Sequence, residues 1–366
     1  MAGHLYDAVI VGASFAGLAA ARRLGENVAV VDRKPLGSGQ TSSCGAPLST
    51  IEQLGCADSI LQVHDAIVIH TQRSERPLPF HEPFCTFDYR ALSEVLARQV
   101  PGRIVRANVD GLDGQRLATT AGAFEGRVLI DASGWRATLG SLVHPGFADG
   151  LALFCGVETE IRMREEGLHF WIEPWGWRNV LGWVFPCGDF CRVGVGSYVG
   201  DRPLGARLDE LLAKLGASGG TRHGGFLPGA LRSPTVGHVF LVGDAAGHCF
   251  PLSGEGIRPS LFFADACGRI VCDFLGGGIG FLQALQAYGR VVGSHQWGFR
   301  AMRRMQDALL ALPPTAQDLL VRTVALGPIR DILERAYDRA IPSAPLRLDT
   351  GGGVSRPPAT GAMRRR

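Results

Sequence analysis

The chain lacks the segments that would carry it into or across a membrane. It contains no run of about 18 apolar residues, and its first residues, MAGHLYDAVIVGASFAG, have no basic stretch of the kind that opens a signal peptide. Its nine cysteines follow no regular spacing. We therefore expect a cytoplasmic protein with free thiols, for which only a peripheral membrane contact is left open.

The sequence also has few lysines, a low net charge and no recognisable metal-binding motif. Lysine occurs only at Lys34 and Lys214, and the formal net charge of +3 argues against a nucleic-acid binder. Cys187 and Cys191 have no second pair nearby, so we predict no metal site. What the chain does have is 46% hydrophobic residues and 50 glycines, enough for a sizeable core with many tight turns.

The order of apolar runs predicts an α/β protein. DAVIVG, a helical stretch closing at Gly25, and NVAVVDR form a strand–helix–strand unit with parallel strands. HDAIVIHT, GRIVRANV and GRVLIDASG are further strands, and DYRALSEVLARQV is a helix. Four β-like runs in residues 150–198 predict an antiparallel sheet. HVFLVGDAAG returns to a buried strand, which a long apolar helix follows.

These patterns predict a discontinuous architecture. A Rossmann-type nucleotide-binding domain takes residues 1–65, 86–145 and 235–295. An antiparallel substrate domain takes residues 66–85 and 146–234. A helical segment covers residues 296–345, and residues 346–366 have no periodicity and are predicted to be a disordered tail.

The first chemical motif, GASFAG, follows the first strand and opens the first helix. Gly12 permits the tight turn, Ser14 stands where the dinucleotide pattern has its middle glycine, and Gly17 lets the helix pack on the strand. The helix N-terminus can bind a pyrophosphate, and Asp32 can accept the ribose hydroxyls. A carboxylate at this position favours FAD or NAD over NADP. The predicted contacts are Gly12, Ser14, Phe15, Ala16, Gly17, Asp32 and Arg33.

A second motif, GDAAGHCFPLSGEGI, begins at Gly243. FAD is too long for one helix terminus, and Asp244 can bind its ribityl or pyrophosphate region. The loop 251–256 then brings N–H groups and a second helix N-terminus to the flavin ring. We interpret Glu255 as a loop-shaping residue, and His248 as either a flavin contact or a structural one. The predicted contacts are Gly243, Asp244, Pro251, Gly254, Glu255, Gly256 and Ile257.

The two motifs together resemble the geranylgeranyl reductase family, within the flavoproteins of para-hydroxybenzoate hydroxylase-like fold. The matching segments, over about residues 5–275, are VGASFAG, VVDR, SSCGAP, DASG, GWVFP followed by GVG, and GDAAGHCFPLSGEGIRP. Leu181 and Arg178 depart from the Tyr and Pro that the family often has. The resemblance implies a Rossmann-type FAD-binding domain with an inserted antiparallel sheet and a C-terminal helical segment. It also implies FAD as cofactor, and reduction of a C=C bond in an isoprenoid chain by hydride from flavin N5.

The resemblance also points to candidate catalytic and substrate-binding residues. Cys44, followed by Gly45, is a candidate catalytic or substrate-positioning thiol on an accessible loop, with a small apolar filler as the alternative. Trp183 and Phe185 alternate on one face of a strand and could face the flavin together, although they could equally be the inner face of a sheet. The predicted substrate-binding residues are Trp183, Phe185, Pro186, Gly194 and Gly196.

Other functions and partners stay open. A flavin-dependent monooxygenase is the main alternative; a halogenase is disfavoured because the required Trp-x-Trp-x-Ile-Pro motif is absent. An electron-transfer flavoprotein would usually bring clustered cysteines. No second glycine fingerprint exists for a nicotinamide domain, so an external donor, NAD(P)H or ferredoxin, is expected. Residues 296–366 hold 12 Arg against six acidic residues, which predicts either a solvated helical face or a surface that contacts anionic membrane.

Overall fold

The computed structural model describes residues 4–200 and 203–342. The strands are β1 Leu5–Val11, β2 Val28–Asp32, β3 Gly45–Pro47, β4 Ile60–His70, β5 Glu75–Phe87, β6 Arg103–Arg106, β7 Val109–Asp113, β8 Arg116–Thr119, β9 Gly122–Asp131, β10 Leu153–Ile161, β11 Leu168–Ile172, β12 Val180–Pro186, β13 Cys191–Ser197, β14 Arg222–Pro228, β15 Thr235–Val236 and β16 Val239–Leu241. The helices are α1 Phe15–Ala21, α2 Leu48–Gln53, α3 Tyr89–Arg98, α4 Thr138–Val143, α5 Leu204–Lys214, α6 Ile257–Leu275, α7 Phe281–Ala311, α8 Pro314–Val324 and α9 Gly327–Ala340.

The first sheet has the order β15-β16-β9-β1-β2-β6, and its strands from β16 to β6 are parallel. Ile10 of β1 belongs to the core cluster under α1 and α6, while Val9 belongs to the cluster on the opposite face. Because both faces are covered, β1 and β2 consist almost entirely of buried apolar residues. The predicted strand–helix–strand unit is confirmed, and the carboxyl ends of β1, β2 and β9 all lie at one edge of the sheet.

The second sheet has the order β14-β10-β13-β12-β11-β4-β5-β3 and is antiparallel except for the pair β4–β11. Leu208 and Leu211 of α5 pack on one of its faces together with Val193 and Val195. The predicted antiparallel sheet is therefore present. It also contains β3 and the start of β4, which lie within residues 1–65 that the sequence assigns to the nucleotide-binding domain. The exact domain boundaries remain a prediction.

The C-terminal helices return to the first sheet. Helix α6 packs closely on α1, since a Cβ on Gly268 would lie 2.8 Å from the Ala20 carbonyl oxygen. Helices α7, α8 and α9 follow, and the predicted tail, residues 346–366, lies outside the described residues. The predicted α/β class with an inserted antiparallel sheet and a C-terminal helical segment is confirmed. Within residues 4–200 and 203–342, no helix has the length and apolar character needed to cross a bilayer.

Candidate active site

One cavity of about 1200 Å³ is lined by both sheets and by the C-terminal helices. Small-molecule sites usually measure roughly 300–1000 Å³, so this cavity has room for a large cofactor and a substrate together. The predicted residues on its wall are Gly12, Ser14, Phe15, Ala16, Asp32, Arg33, Cys44, Gly45, Trp183, Phe185, Gly196, Gly243, Asp244, Gly254, Glu255, Gly256 and Ile257. The predicted residues that do not line it are Gly17, Pro186, Gly194 and Pro251.

The turn after β1 forms one end of the cavity. Gly12 has φ +110°, and a Cβ there would lie 2.2 Å from the Ala132 carbonyl oxygen. A Cβ on Gly17 would lie 1.8 Å from the Gly12 carbonyl oxygen, so Gly17 acts by letting α1 approach the turn. The Asp32 carboxylate accepts hydrogen bonds from the N–H groups of Ala13 (2.7 Å) and Lys34 (2.8 Å). Its remaining lone pairs can still accept hydroxyl groups.

The late motif meets the first one in space. A Cβ on Gly243 would lie 2.9 Å from the Cβ of Ala16, although the two residues are far apart in sequence. The next residue, Asp244, is half-buried, and no hydrogen bond to its carboxylate comes from the part of the chain that the structure describes. Burial raises the pKa of Asp244 to about 6, although Arg232 acts in the opposite direction. This carboxylate is therefore available to a ligand with hydroxyl groups.

The loop 251–256 is held in place by hydrogen bonds to two other parts of the chain. The Tyr198 hydroxyl donates to the Leu252 carbonyl (2.7 Å), and the Leu252 N–H donates to the Gln306 side chain (2.9 Å). Leu252 itself has φ 66°, a left-handed conformation that costs a residue with a side chain roughly 1–3 kcal/mol. Helix α6 then begins at Ile257 without a side-chain cap. Its first N–H groups are thus left for a ligand in the cavity.

Glu255 shapes this loop through a buried ion pair. Both of its carboxylate oxygens accept hydrogen bonds from Arg258, at 2.8 Å and 2.9 Å, and the Tyr337 hydroxyl also donates to it. Arg258 is 1% exposed and donates to the Ile341 carbonyl (2.9 Å) beyond α9. We call Glu255, Arg258, Tyr337 and Ile341 the Arg258 clamp. The clamp joins the loop to the end of the C-terminal helices.

His248 lies behind the cavity wall. Its Nδ1 accepts a hydrogen bond from the Gly243 N–H (3.1 Å), and its ring lies 4.3 Å from that of Phe263. Burial lowers the pKa of His248 to about 3, so the imidazole is neutral at neutral pH. Of the two interpretations drawn from the sequence, this geometry favours the structural contact.

Trp183 and Phe185 both face the cavity from β12, as their alternation predicts. Glycines make room for both rings. A Cβ on Gly194 would lie 2.2 Å from Cζ2 of Trp183, and one on Gly196 would lie 3.2 Å from its Cζ3. A Cβ on Gly45 would lie 2.8 Å from Cε2 of Phe185. The absence of side chains at Gly194 and Gly196 of β13 therefore leaves the space that the Trp183 indole occupies.

Pro186 has the opposite orientation. It is in phase with Val184, which belongs to the core on the α5 side of the sheet. Its carbonyl accepts a hydrogen bond from the Thr86 hydroxyl (2.5 Å). The structure thus places Pro186 away from the cavity wall, and places Gly194 behind the Trp183 ring rather than against a substrate.

We expect the Gly194→Ala variant to lose about 1–3 kcal/mol of unfolding free energy, because the added methyl group overlaps the indole and must displace it. Denaturant unfolding measures this loss. Gly111→Ala is the matched control, since Gly111 also lies in a strand but has open space around its Cβ position. Equal stability of the two variants would show that Gly194 is not needed to make room for the Trp183 indole.

Cys44 is positioned differently from the prediction. It adopts φ 57° and is 0% exposed, so the expected accessible loop is wrong, although the residue contributes to the cavity wall. Its thiol donates to the Ser42 carbonyl (3.2 Å), and its N–H donates to the Ser42 hydroxyl (3.1 Å). Burial raises the pKa of this thiol well above its ordinary range. Cys44 is therefore a protonated thiol and not a nucleophilic thiolate.

A buried carboxylate that the sequence did not single out lies beside it. Glu158 of β10 is 3% exposed. Its Oε2 accepts hydrogen bonds from the Ser43 hydroxyl (2.5 Å) and the Trp183 indole (2.8 Å), and its Oε1 lies 2.7 Å from Nε2 of His223. Burial alone would raise the pKa of Glu158, but the hydrogen bonds from His223, Ser43 and Trp183 together hold it below its ordinary value. We call Glu158, His223, Ser43 and Trp183 the Glu158 cluster.

The Glu158 cluster gave only a faint sequence signal. Glu158 shares a strand face with Phe154 and Gly156, so a carboxylate stands where alternation expects an apolar or small residue. His223 is 65 residues away on β14, and no spacing rule connects the two. Within the described residues, no group of three or more His, Cys, Asp and Glu could hold a metal ion. The nine cysteines are free.

No protein-family model matches the chain. Among curated proteins, it is 28% identical to the menaquinone reductase of Mycolicibacterium smegmatis, over 84% of this chain and 85% of that protein. It is 32% identical to the digeranylgeranylglycerophospholipid reductase of Methanococcus vannielii over 97 residues, which are only 24% of this chain and span about a quarter (24%) of that relative.

Solved structures share the fold. A geranylgeranyl bacteriochlorophyll reductase-like protein from Thermoplasma acidophilum superimposes with a TM-score of 0.80 at 17% identity, over 92% of this chain and 96% of that one. The probable FAD-dependent monooxygenase pqsL from Pseudomonas aeruginosa gives 0.66 at 14% identity, over 92% and 99%. The predicted resemblance to geranylgeranyl reductases is confirmed, and the chain has the fold of FAD-dependent oxidoreductases.

Proposed function

We propose that this chain binds FAD and reduces a C=C bond in an isoprenoid chain. The observation that carries the proposal is the single cavity that joins both nucleotide motifs to an apolar wall. Leu181, Trp183 and Phe185 of β12 supply that wall, and Met302 of α7 and Leu333 of α9 face the same space. A long apolar substrate fits such a wall, and the reductase names of the relatives agree with it.

The residues present fit FAD at both ends. The space in front of Gly12 and the two free sites on Asp32 suit the adenosine half, as the dinucleotide pattern requires. Asp244 and the uncapped start of α6 suit the ribityl chain and the ring. When bound and reduced, FAD supplies hydride from N5. The chain's own residues hold the alkene against the wall, exclude water and provide a proton.

FAD affinity is expected to fall as pH drops below about 6, by about tenfold per unit, because the Asp244 carboxylate would have to lose its proton before it could accept ribityl hydroxyls. The sign follows because FAD favours the ionised form, so binding must displace a proton below the pKa of the FAD-free chain. The raised pKa places the onset of this loss near pH 6. Fluorescence titration of FAD from about pH 5 to about pH 8 measures the slope. In the Asp244→Asn variant the slope should disappear; parallel curves would exclude Asp244 as the titrating group.

The reaction itself is tested without oxygen. The flavin-loaded protein is reduced with dithionite and mixed with geranylgeranyl lipids, and flavin reoxidation is followed together with product mass. Reoxidation with a product two hydrogen atoms heavier supports the proposal. Reoxidation that occurs only with oxygen, and that gives a hydroxylated product, would instead establish a monooxygenase.

The monooxygenase alternative rests on the shared fold with pqsL. A halogenase has less support, because it needs a lysine facing the oxidant. Lys214 lies over the Trp175 ring (4.7 Å), and Lys34 lies in the loop after Asp32 at the adenosine end. The electron donor, NAD(P)H or ferredoxin, and a peripheral membrane contact stay predictions. For the latter, α8 and α9 expose Leu319 and Ile332, at 64% and 60%.

A further inference from the structure

His223 lies on β14, the edge strand of the second sheet, where its side chain is paired with Glu158 of β10. It lines the active-site cavity, and it also lines a separate, open depression together with Arg222, Gly224 and Phe226. Its side chain is 25% exposed, whereas its partner Glu158 is almost fully buried. Glycines 224 and 225 of the same strand and Gly156 of β10 line the same depression. His223 is thus placed between bulk water and a buried carboxylate.

On the side of the cavity, the Glu158 carboxylate is hydrogen-bonded to Ser43, a residue of the cavity wall. Ser43 lines the cavity next to Cys44, and its hydroxyl donates to Glu158 at 2.5 Å. The Ser43 carbonyl is held by Arg192, whose Nη1 donates to it at 3.1 Å. Arg192 is buried and its Nη1 also donates to the Phe87 carbonyl (3.0 Å), so the segment carrying Ser43 is fixed. A continuous line of hydrogen bonds therefore runs from the outer depression to the cavity.

We propose that His223, Glu158 and Ser43 form a proton-delivery route from solvent to the substrate double bond. This inference rests on the proposed function, because reduction of a C=C bond adds one proton for every hydride. Ser43 is the terminal donor, and Glu158 and His223 act through it. The pairing of a buried carboxylate with a partly exposed histidine is the feature that distinguishes a route from a closed structural contact.

The proton balance is as follows. The Ser43 hydroxyl gives its proton to the carbon that does not receive hydride, and its oxygen regains one from Glu158. His223 supplies Glu158 from Nε2 while taking a proton from water at its other nitrogen; rotation of the carboxyl group carries the proton from Oε1 to the oxygen facing Ser43. An ionised carboxylate only accepts hydrogen bonds, so Nε2 carries a hydrogen at rest. This leaves the His223 hydrogen on Nδ1, and exchange of the partly exposed ring with water moves it back to Nε2 before the next turnover. Every group is then in its starting state, and the net donor of the proton is solvent.

The charges around the route favour this resting state. Arg192 on β13 is the cation near Glu158, and Trp183 on β12 donates to the same carboxylate. Cys44 on the neighbouring loop is protonated, as shown above, so it adds no negative charge. Glu158 is therefore ionised until a proton arrives, and the hydrogen bond from Trp183 holds the ionised carboxylate in its resting orientation.

The test separates proton delivery from mere positioning. In the His223→Gln variant, the amide can still donate a hydrogen bond to Glu158. It has no imidazole ring through which a proton could pass. In the reduced, flavin-loaded protein, we expect this variant to react with a geranylgeranyl lipid at least about 100-fold more slowly, the usual scale of general acid catalysis. Flavin reduction by dithionite, FAD affinity and the unfolding midpoint should match those of the natural chain. His238→Gln is the control, because His238 likewise makes one hydrogen bond through Nε2, to the Gly114 carbonyl, but lies away from the cavity.

Chemical rescue gives the second readout. His223→Gly opens a space at the outer depression, and imidazole should bind the FAD-free variant in calorimetry and restore lipid reduction. Full activity of His223→Gln, or a defect in His223→Gly that bound imidazole does not relieve, would overturn the route. If the natural chain does not reduce prenyl lipids at all, the proposed function fails instead, and the route falls with it.

Discussion

We expect the Arg258→Met variant to lose about 3–5 kcal/mol of unfolding free energy, the range found when one partner of a buried ion pair is removed. Methionine fills much of the same volume but leaves the buried Glu255 carboxylate without its cation. The Ile341 carbonyl also loses its donor. FAD affinity should fall together with stability, because Glu255 sets the path of the loop 251–256.

Denaturant unfolding and FAD titration measure the two effects. Arg303→Met is the matched control, since Arg303 pairs with Asp307 on the exposed side of α7 and such pairs contribute only about 0.3–0.5 kcal/mol. Adding Glu255→Gln to Arg258→Met should recover part of the loss, because the unpaired charge is then removed. A loss as small as that of the Arg303 control would mean that Glu255 is not held by Arg258 in solution.

The Gly12→Ala variant should emerge from purification without flavin and with unfolding free energy lower by at least about 2 kcal/mol. Its Cβ would meet the Ala132 carbonyl oxygen at 2.2 Å, and its φ of +110° is one that alanine rarely adopts. Relief of this clash must move the turn that we propose holds the adenosine half of FAD.

Absorbance of the purified protein and FAD titration after refolding check this expectation. Gly25→Ala provides the control, because Gly25 follows the same helix and has open space at its Cβ position. We expect that control to change stability by no more than about 0.5 kcal/mol and to keep its colour. A yellow Gly12→Ala protein with unchanged FAD affinity would show that the turn tolerates a side chain.

The parts of the site that follow local rules could be predicted from the sequence. The Gly12 turn, Asp32 at the end of β2 and the approach of Gly17 to the turn all come from one strand–helix–strand unit with fixed geometry. The shared face of Trp183 and Phe185 follows from the two-residue period of a strand. Gly194 and Gly196 belong to a segment that resembles the family. Only the structure shows that they leave room for the Trp183 indole.

The parts that depend on pairing between distant strands could not be predicted. Glu158 and His223 meet because β10 pairs with β14, and that register is set by tertiary packing. The partners of Arg258 come from the loop before α6 and from the end of α9. The burial of Cys44 likewise depends on how β3 is covered, which no local pattern encodes.

The Arg258 clamp also affects the order in which the parts of the proposed FAD site can form. A chain leaves the ribosome from its N-terminus and folds in parts as it emerges. The turn at Gly12 is therefore made early, but the loop 251–256 stays incomplete until Tyr337 and Ile341 have been synthesised and have docked. On the proposed function, we therefore expect stable flavin binding only after α9 has folded.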